Sequence, residues 1–405
     1  MKILLVHNFY GSAAPSGENA VFEAEKALLQ QNGHEVALFT RHSDEIINKG
    51  FLGLVQGALA TPWNPQMSRT IQKKIADFRP DVVHAHNTFP LISPAIFCAI
   101  GKKSARVLTL HNYRLFCPAA IPMRNGKVCT VCLNKKSSFP ALLHGCYRDS
   151  RIATVPLAFN VALHRFLGTW KNNVDAFIAL SDFQAKLMAK SGLPAAKVKV
   201  KPNFYPGNPS VISWQDRGMY AVFVGRISAE KGVASLLQAW KDWGSNAPEL
   251  LFVGDGELRP ELERMAAGLP VRFTGQVKEQ EAQAHIARAR LLILPSEWFE
   301  GFPMVVREAF AFGTPVAVSN IGPLPLIAQG GISGVVFEPG NPESLLQQVR
   351  AAWKTPGMLE RLGAGARAEF EAKYTEEANY KTLMAIYEQA IAVARGRRLD
   401  ERKYS

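Results

Sequence analysis

The chain has 405 residues, long enough for two hydrophobic cores, because a single core stops growing at about 250 to 300 residues. Its composition, 47% apolar and 20% charged, is ordinary for a globular protein and excludes a low-complexity or fibrous chain. The net charge of +13 predicts attraction to an anionic partner, and with no recognition-helix, RNA-binding or zinc-finger spacing, nucleic acid is set aside in favour of an anionic membrane surface.

The chain opens on Ile3-Leu4-Leu5-Val6, too short an apolar run for the core of a signal peptide and suited instead to a first β-strand. Further strands are expected at Glu35 to Thr40, Asp81 to His86, Ala105 to His111 and Ala176 to Leu180. In the second half they are expected at Tyr220 to Val224, Glu249 to Val253, Val271 to Thr274, Ala289 to Leu294 and Val316 to Ser319. Helical spacing fills the intervals, as in Val21 to Leu29 ahead of the stop signal Asn32-Gly33. The run from Phe89 to Ile100 is broken by Pro90, Ser93 and Pro94 and falls short of the roughly 20 residues that span a bilayer. Strands alternating with helices predict an α/β chain with two Rossmann-like sheets. The stretch 201–209, rich in Pro, Gly and Asn, reads as the connection between them. The expected domains are 1–203, with a Cys-containing insertion at about 114–150, then 204–375, then a helix from Glu376 to Ala394 and a frayed basic tail ending at 405.

Between the first strand and first helix, the Ala14 to Asn19 loop includes Ser16 and Gly17, and Gly17 permits close approach of backbone to a ligand. The segment Ile46 to Leu59, followed by Trp63, Arg69, Lys73 and Lys74, fits either an interfacial helix or an ordinary packed helix with Phe51, Leu54 and Val55 in the core. His84 and His86 share one face of their strand and line a cleft or serve structure. Five cysteines predict a reducing compartment. Cys117, Cys129, Cys132 and Cys146 could close a tetrahedral structural zinc site, although reduced thiols acting as small apolar packing come first; Cys98 reads as core.

In the second half, Gly225 ends a strand, Arg226 offers a planar fork for phosphate, and Lys231 adds a point charge before Gly232. This is not a Walker loop, since Gly232 follows the lysine where Ser or Thr belongs. Gly254 and Gly256 follow another strand, but Arg259 stands where a dinucleotide fingerprint needs glycine, which sets a dehydrogenase aside. The stretch Glu300-Gly301-Phe302-Pro303-Met304-Val305-Val306-Arg307-Glu308 puts two carboxylates around a turn that leads into a helix. The unsatisfied N–H groups of the first helical turn suit anions and sugar hydroxyls.

Glu300 and Glu308 around the Gly-Phe-Pro-Met-Val core, with Gly225-Arg226-x4-Lys231-Gly232, resemble the retaining glycosyltransferases of family 4, and the resemblance covers nearly the whole chain. It implies the GT-B fold, two Rossmann-like domains facing a central cleft. It further implies a nucleotide-diphosphate sugar as co-substrate, with no cofactor or metal required for catalysis. The implied donor contacts are Ser16, Gly17, Gly225, Gly254, Gly256, Arg272, Phe302, Pro303, Met304, Val305 and Glu308. The implied catalytic group is His111, Glu300, Arg226 and Lys231. No Asp-x-Asp occurs, so cationic side chains and helix N-termini are expected to neutralise the leaving diphosphate. The expected acceptor is a glycan or a polyprenyl-linked sugar in polysaccharide or lipopolysaccharide biosynthesis, at the inner face of the cytoplasmic membrane. A GT-B-fold sugar-nucleotide epimerase and a non-catalytic nucleotide-sugar-binding protein are the alternatives.

Overall fold

A computed structural model describes residues 1–11 and 16–404, with side chains through Arg397; Ala14 and Pro15 of the loop named above lie outside the described residues. The chain divides into two compact units. One comprises Met1–Pro122, Thr130–Pro202 and Asn379–Ser405, and the other Met123–Cys129 and Asn203–Ala378.

The first unit is built on β1 (Lys2–Phe9), β2 (Glu35–His42), β3 (Val82–Asn87) and β4 (Ala105–Leu110). After a short antiparallel hairpin, β5 (Met123–Arg124) and β6 (Lys127–Val128), which groups with the other unit, come β7 (Ala176–Ala179) and β8 (Val198–Val200). The six-stranded sheet runs β2-β1-β3-β4-β7-β8, every pair parallel. Parallel strands covered on both faces read as unbroken apolar runs, and β3, β4 and β7 are buried at every position. Ile3, Leu5, Val107 and Ile178 pack with Phe22 and Leu29 of the helix Gly17–Gln31 on one side. Leu383, Ile386, Tyr387 and Ala390 of the last helix join the same core.

That last helix spans Glu376–Tyr404, about ten residues beyond the end expected at Ala394. Arg397 supplies a reason, since its guanidinium lies 2.9 Å from the buried carboxylate of Asp175, which Arg106 also holds. Gly396, the weak point of the run, meets nothing and sits within strong helix formers.

The second unit carries β9 (Tyr220–Val224), β10 (Glu249–Val253), β11 (Val271–Gly275), β12 (Leu291–Leu294), β13 (Val316–Ser319) and β14 (Gly334–Phe337). Their order is β11-β10-β9-β12-β13-β14, again wholly parallel. Phe223, Phe252, Ile293, Leu236, Trp240, Leu345 and Leu362 form its core.

Ten of the strands lie where apolar runs put them. The edge strands β8 and β14 were not expected: Val198-Lys199-Val200 is three residues of half-buried alternation, and β14 opens on Gly334. That glycine is required because a Cβ there would lie 2.3 Å from the Val316 carbonyl oxygen. Cys98 corrects another expectation: the short helix Ile96–Ala99 turns Ile96 and Phe97 inward and leaves Cys98 exposed, accepting from Asn173 at 3.2 Å.

Candidate functional site

In both sheets the strand order reverses beside the first strand, and at such a reversal the following connections diverge to opposite faces and open a crevice at the strand C-termini. In the second unit this point lies between β9 and β12. The loop after β9 brings Gly225 to Gly232, and the loop after β12 brings Pro295 to Pro303. Glycine is needed where these backbones meet. Gly232 has φ +67, and a Cβ there would stand 1.9 Å from the Pro295 carbonyl oxygen; at Gly254, φ +135, it would stand 2.0 Å from that of Gly225. Ile227 N–H donates to the Asp255 carbonyl at 2.9 Å, which ties the Gly254 to Gly256 turn to the same loop.

This packing delivers Lys231 to Glu300. The ammonium donates to Glu300 Oε1 at 2.7 Å, and Ser296 Oγ (2.7 Å) and Trp298 Nε1 (3.1 Å) donate to the same oxygen. Lys231 also stands 5.3 Å above the Trp298 ring. Arg226 is different: its side chain is 65% exposed and pairs with Glu230 at 3.3 Å.

Phe302 and Pro303 are buried, and Pro303 caps the helix Met304–Ala311 from outside instead of entering its first turn. The N–H groups of Met304 and Val305 have no partner within the helix. Glu308, on the same helix, is buried, and burial pushes its carboxyl up to about 7, with only a loose 3.8 Å approach to Arg307 opposing the shift. The Arg307 guanidinium is spent on the carbonyl of Phe204. Arg272 is not brought to this group. It lies on the edge strand β11, is 65% exposed and pairs with Glu249 at the N-terminal end of β10, at the opposite end of the strands from Gly254.

In the first unit the reversal falls between β1 and β3. Ser16 caps the helix Gly17–Gln31, its hydroxyl accepting from Asn19 N–H, and Gly17 takes the first helical position. His111 directly follows β4, with Nε2 3.1 Å from His86 Nδ1 and the two rings stacked. His86 Nε2 lies 3.2 Å from Glu25 Oε1, and His84 Nδ1 lies 3.1 Å from the same oxygen. Lys201 Nζ takes Glu25 Oε2 at 2.8 Å, and His84 also bonds Tyr387 and Thr109, each at 2.7 Å.

Burial pushes the Glu25 carboxyl up, but Lys201, His86 and His84 outweigh it and hold the group well below its ordinary value. Burial lowers His7 to about 4 and His86 to about 4; burial, then His86, hold His111 well below the ordinary imidazole range. Glu25, His84 and His86 are the one group among the described residues whose ligand atoms lie close enough to share an ion. Lys201, Tyr387 and Thr109 already complete that cluster as a hydrogen-bonded network.

His86, His111, Asn112, Arg114 and Asn160 line a pocket with about 60 Å³ of water-accessible space in the first unit. Cys117 and Cys132 are buried and Cys129 and Cys146 half-buried, all as reduced thiols, and burial pushes Cys117 up to about 12. The sequence reading missed Glu25 and Lys201. Glu25 left a trace, a carboxylate on the apolar stripe Val21, Phe22, Leu28, Leu29. Lys201 left none.

Two doubly wound parallel sheets, each with polar and charged side chains at its point of strand reversal, are the architecture of the GT-B fold. Residues 17–206 match the family model "Glycosyltransferase Family 4" and residues 208–369 match "Glycosyl transferases group 1". The chain belongs to glycosyltransferase family 4. It is 27% identical to the sulfoquinovosyl transferase SQD2 of Arabidopsis thaliana over 398 residues, 93% of this chain and 71% of that protein. It is 25% identical to the putative teichuronic acid biosynthesis glycosyltransferase TuaC of Bacillus subtilis, over 92% of this chain and 95% of that one. Among solved structures, Anabaena HepE in complex with UDP superposes with a TM-score of 0.63 at 17% identity, covering 96% of this chain and all of that one, and HepE is also solved with UDP-glucose.

Two outcomes follow from this geometry. Gly232→Ala should destabilise the protein by about 1–3 kcal/mol. Gly244→Ala should cost less in the same denaturation experiment, because Gly244 shares the positive φ but faces open space. The second concerns pH. His7 and His86 titrate near 4 when folded and near 6.5 when unfolded, so between those values the unfolded chain binds the extra protons. Stability is therefore full above about pH 6.5 and falls on acidification, by up to about 1.4 kcal/mol per pH unit for each histidine. Urea denaturation at pH 7.5, 6.5 and 5.5 should give a falling midpoint; a flat series would contradict the buried neutral imidazoles.

Proposed function

We propose that the chain transfers a sugar from a nucleoside diphosphate donor to a glycan or polyprenyl-linked acceptor. The observation that carries this reading is the Lys231–Glu300 pair at the point where the second sheet reverses. In this pair each charge neutralises the other. A donor diphosphate would draw the ammonium, while the carboxylate, still held by Ser296 and Trp298, would accept from sugar hydroxyls. Arg226, already at the surface, would add charge to the leaving group, as would the first-turn N–H groups of Met304 and Val305, without a metal. Glu308 would take the ribose diol, whose hydroxyls stabilise the charged form that burial penalises. His111 would stand beside the transferred sugar. The UDP-bound and UDP-glucose-bound HepE structures support a donor of this class. Retention of the donor's anomeric configuration follows the family resemblance.

The acceptor side is read from the surface of the first unit. In the helix Gly50–Ala60 the buried residues are Gly53 and Gly57, which pack against Ile46, while Phe51, Leu52, Leu54, Val55 and Leu59 are exposed. The packed-helix alternative for Phe51, Leu54 and Val55 does not hold. The helix Arg151–Phe166, which the sequence did not single out, exposes Ile152, Val155, Phe159 and Phe166. The two stretches meet where Trp63 stacks on His164 and the Pro62 carbonyl lies 2.8 Å from His164 Nε2. Residues 48–76 contain no Asp or Glu, and residues 131–172 contain only Asp149, against Lys49, Arg69, Lys73, Lys74, Lys135, Lys136, Arg148, Arg151, Arg165 and Lys171. Exposed apolar side chains on segments whose charges are almost all basic fit an anionic bilayer, each cation adding about 1 kcal/mol near its surface. A role in cell-surface polysaccharide or lipopolysaccharide biosynthesis fits an acceptor presented at such a surface. No described helix is long and apolar enough to cross a membrane.

Lys231→Ala and Arg226→Ala should each lower turnover by roughly 10²-fold with a UDP-sugar donor. Near-normal turnover in both would overturn the donor assignment. Vesicles carrying anionic lipid should co-sediment the protein at low salt. Binding should weaken with added salt and in the Phe51→Ser/Phe159→Ser and Lys73→Glu/Lys74→Glu variants. A protein indifferent to anionic vesicles at low salt would remove the membrane from this account and leave the transfer reading intact.

A further inference from the structure

The histidines of the first unit form a chain whose proton positions can be worked out from one end. Lys201 donates to Glu25 Oε2 at 2.8 Å and is itself 2% exposed, which fixes Glu25 as a carboxylate. Asn379 of the last helix holds the same ammonium at 3.2 Å. An ionised carboxylate only accepts, so the contact of 3.2 Å between Glu25 Oε1 and His86 Nε2 requires the proton on Nε2. A neutral imidazole has one proton, and His86 Nδ1 is then a bare acceptor. His111 Nε2 lies 3.1 Å from that nitrogen. Two lone pairs would repel at this distance, so His111 must carry its proton on Nε2. Its Nδ1 is left as an acceptor.

We propose that Glu25 and His86 are positioning residues that set His111 in the Nε2-protonated tautomer, so that its ring offers Nδ1 as a hydrogen-bond acceptor to a substrate hydroxyl. The proposal rests on the reading of His111 as a residue beside the transferred sugar. Its physical logic is that of a hydrogen bond on one ring nitrogen deciding what the other nitrogen can do. The relay needs both links. A carboxylate alone, separated by the His86 ring, has no direct contact with His111, and His86 without the carboxylate has no preferred direction. His84 is a side branch, tied to Glu25, Tyr387 and Thr109, that keeps the carboxylate in register. Buried neutral rings keep this arrangement across neutral pH.

The test reads the tautomer directly. In the 15N-labelled wild-type protein, with His111 assigned by comparison with His111→Asn, long-range ring correlations at neutral pH should give a protonated Nε2 and an unprotonated Nδ1. A protonated Nδ1 would overturn the proposal with no variant needed. Glu25→Gln introduces an amide that can donate to His86 Nε2 and so reverse the whole relay. It should move His111 toward the Nδ1-protonated form and lower kcat by 10- to 100-fold, with the Kd for UDP within twofold of wild type. His86→Phe should give a mixture of His111 tautomers and a similar loss in kcat. If either variant folds and keeps both the wild-type tautomer and the wild-type kcat, the positioning role is wrong. Near-normal transfer by His111→Ala would instead remove the role of His111 itself, a failure that the tautomer measurement on wild-type protein keeps separate.

Discussion

A parallel sheet can be entered from its middle and wound outward in both directions, and the two directions cannot share one face. The connections leaving the strands on either side of the starting strand turn to opposite faces, and the gap between them is set by the winding itself before any side chain is chosen. In this chain both sheets are wound that way, with reversals between β1 and β3 and between β9 and β12. The candidate functional side chains are those that the loops at these gaps can carry. Lys231 and Glu300 are 69 residues apart in sequence and 2.7 Å apart in space because β9 and β12 are neighbours. His7 and His86 come together in the same way across β1 and β3, with ring centroids 6.3 Å apart.

The second unit's gap is closed by backbone, the first unit's by buried charge. Around Gly232, Gly254 and Gly256, loops touch at distances that leave no space for a Cβ, which makes the positions of Lys231 and Glu300 depend on main-chain geometry. In the first unit, a carboxylate, an ammonium and two imidazoles lie in a site almost without solvent. Such a cluster contributes little net stability compared with an apolar core of the same shape, but removing one member leaves the others uncompensated at a cost of about 3–5 kcal/mol. It imposes a single arrangement of hydrogen bonds on the strand ends, and His111 meets that arrangement through His86.

Much of this was legible in the residues. Continuous apolar runs identify the central strands because parallel strands are covered on both faces, and the glycines beside them mark close backbone approach. The Lys231 and Glu300 motifs stood out by residue type and spacing, and the structure brings the two side chains to 2.7 Å. The edge strands were not, since β8 is short and half-buried and β14 begins with glycine, leaving no pattern to detect. The Glu25 network was beyond reach for a different reason. Its members come from the first helix, β3, β4, the segment after β8 and the last helix, and no local spacing records that they converge. The apolar face of the helix Arg151–Phe166 was equally hidden, because an amphipathic pattern does not say whether its apolar side meets protein or something else.

The first unit is also discontinuous in the order of synthesis. Tyr387 and Asn379, which bond His84 and Lys201, leave the ribosome only after the whole of the second sheet has been made. Until then the sheet that emerged first lacks the apolar cover of Leu383, Ile386 and Ala390, and its buried lysine lacks one of its two partners. The nascent first unit must wait, partly uncovered, while residues 203–378 are translated. At bacterial or eukaryotic elongation rates of about 5–20 residues per second, that wait lasts on the order of ten seconds or more, long compared with the folding of the second unit's individual elements. Completion of the surroundings of His86 and His111 is thereby coupled to completion of the polypeptide, and an interrupted chain would carry a second unit with no finished counterpart.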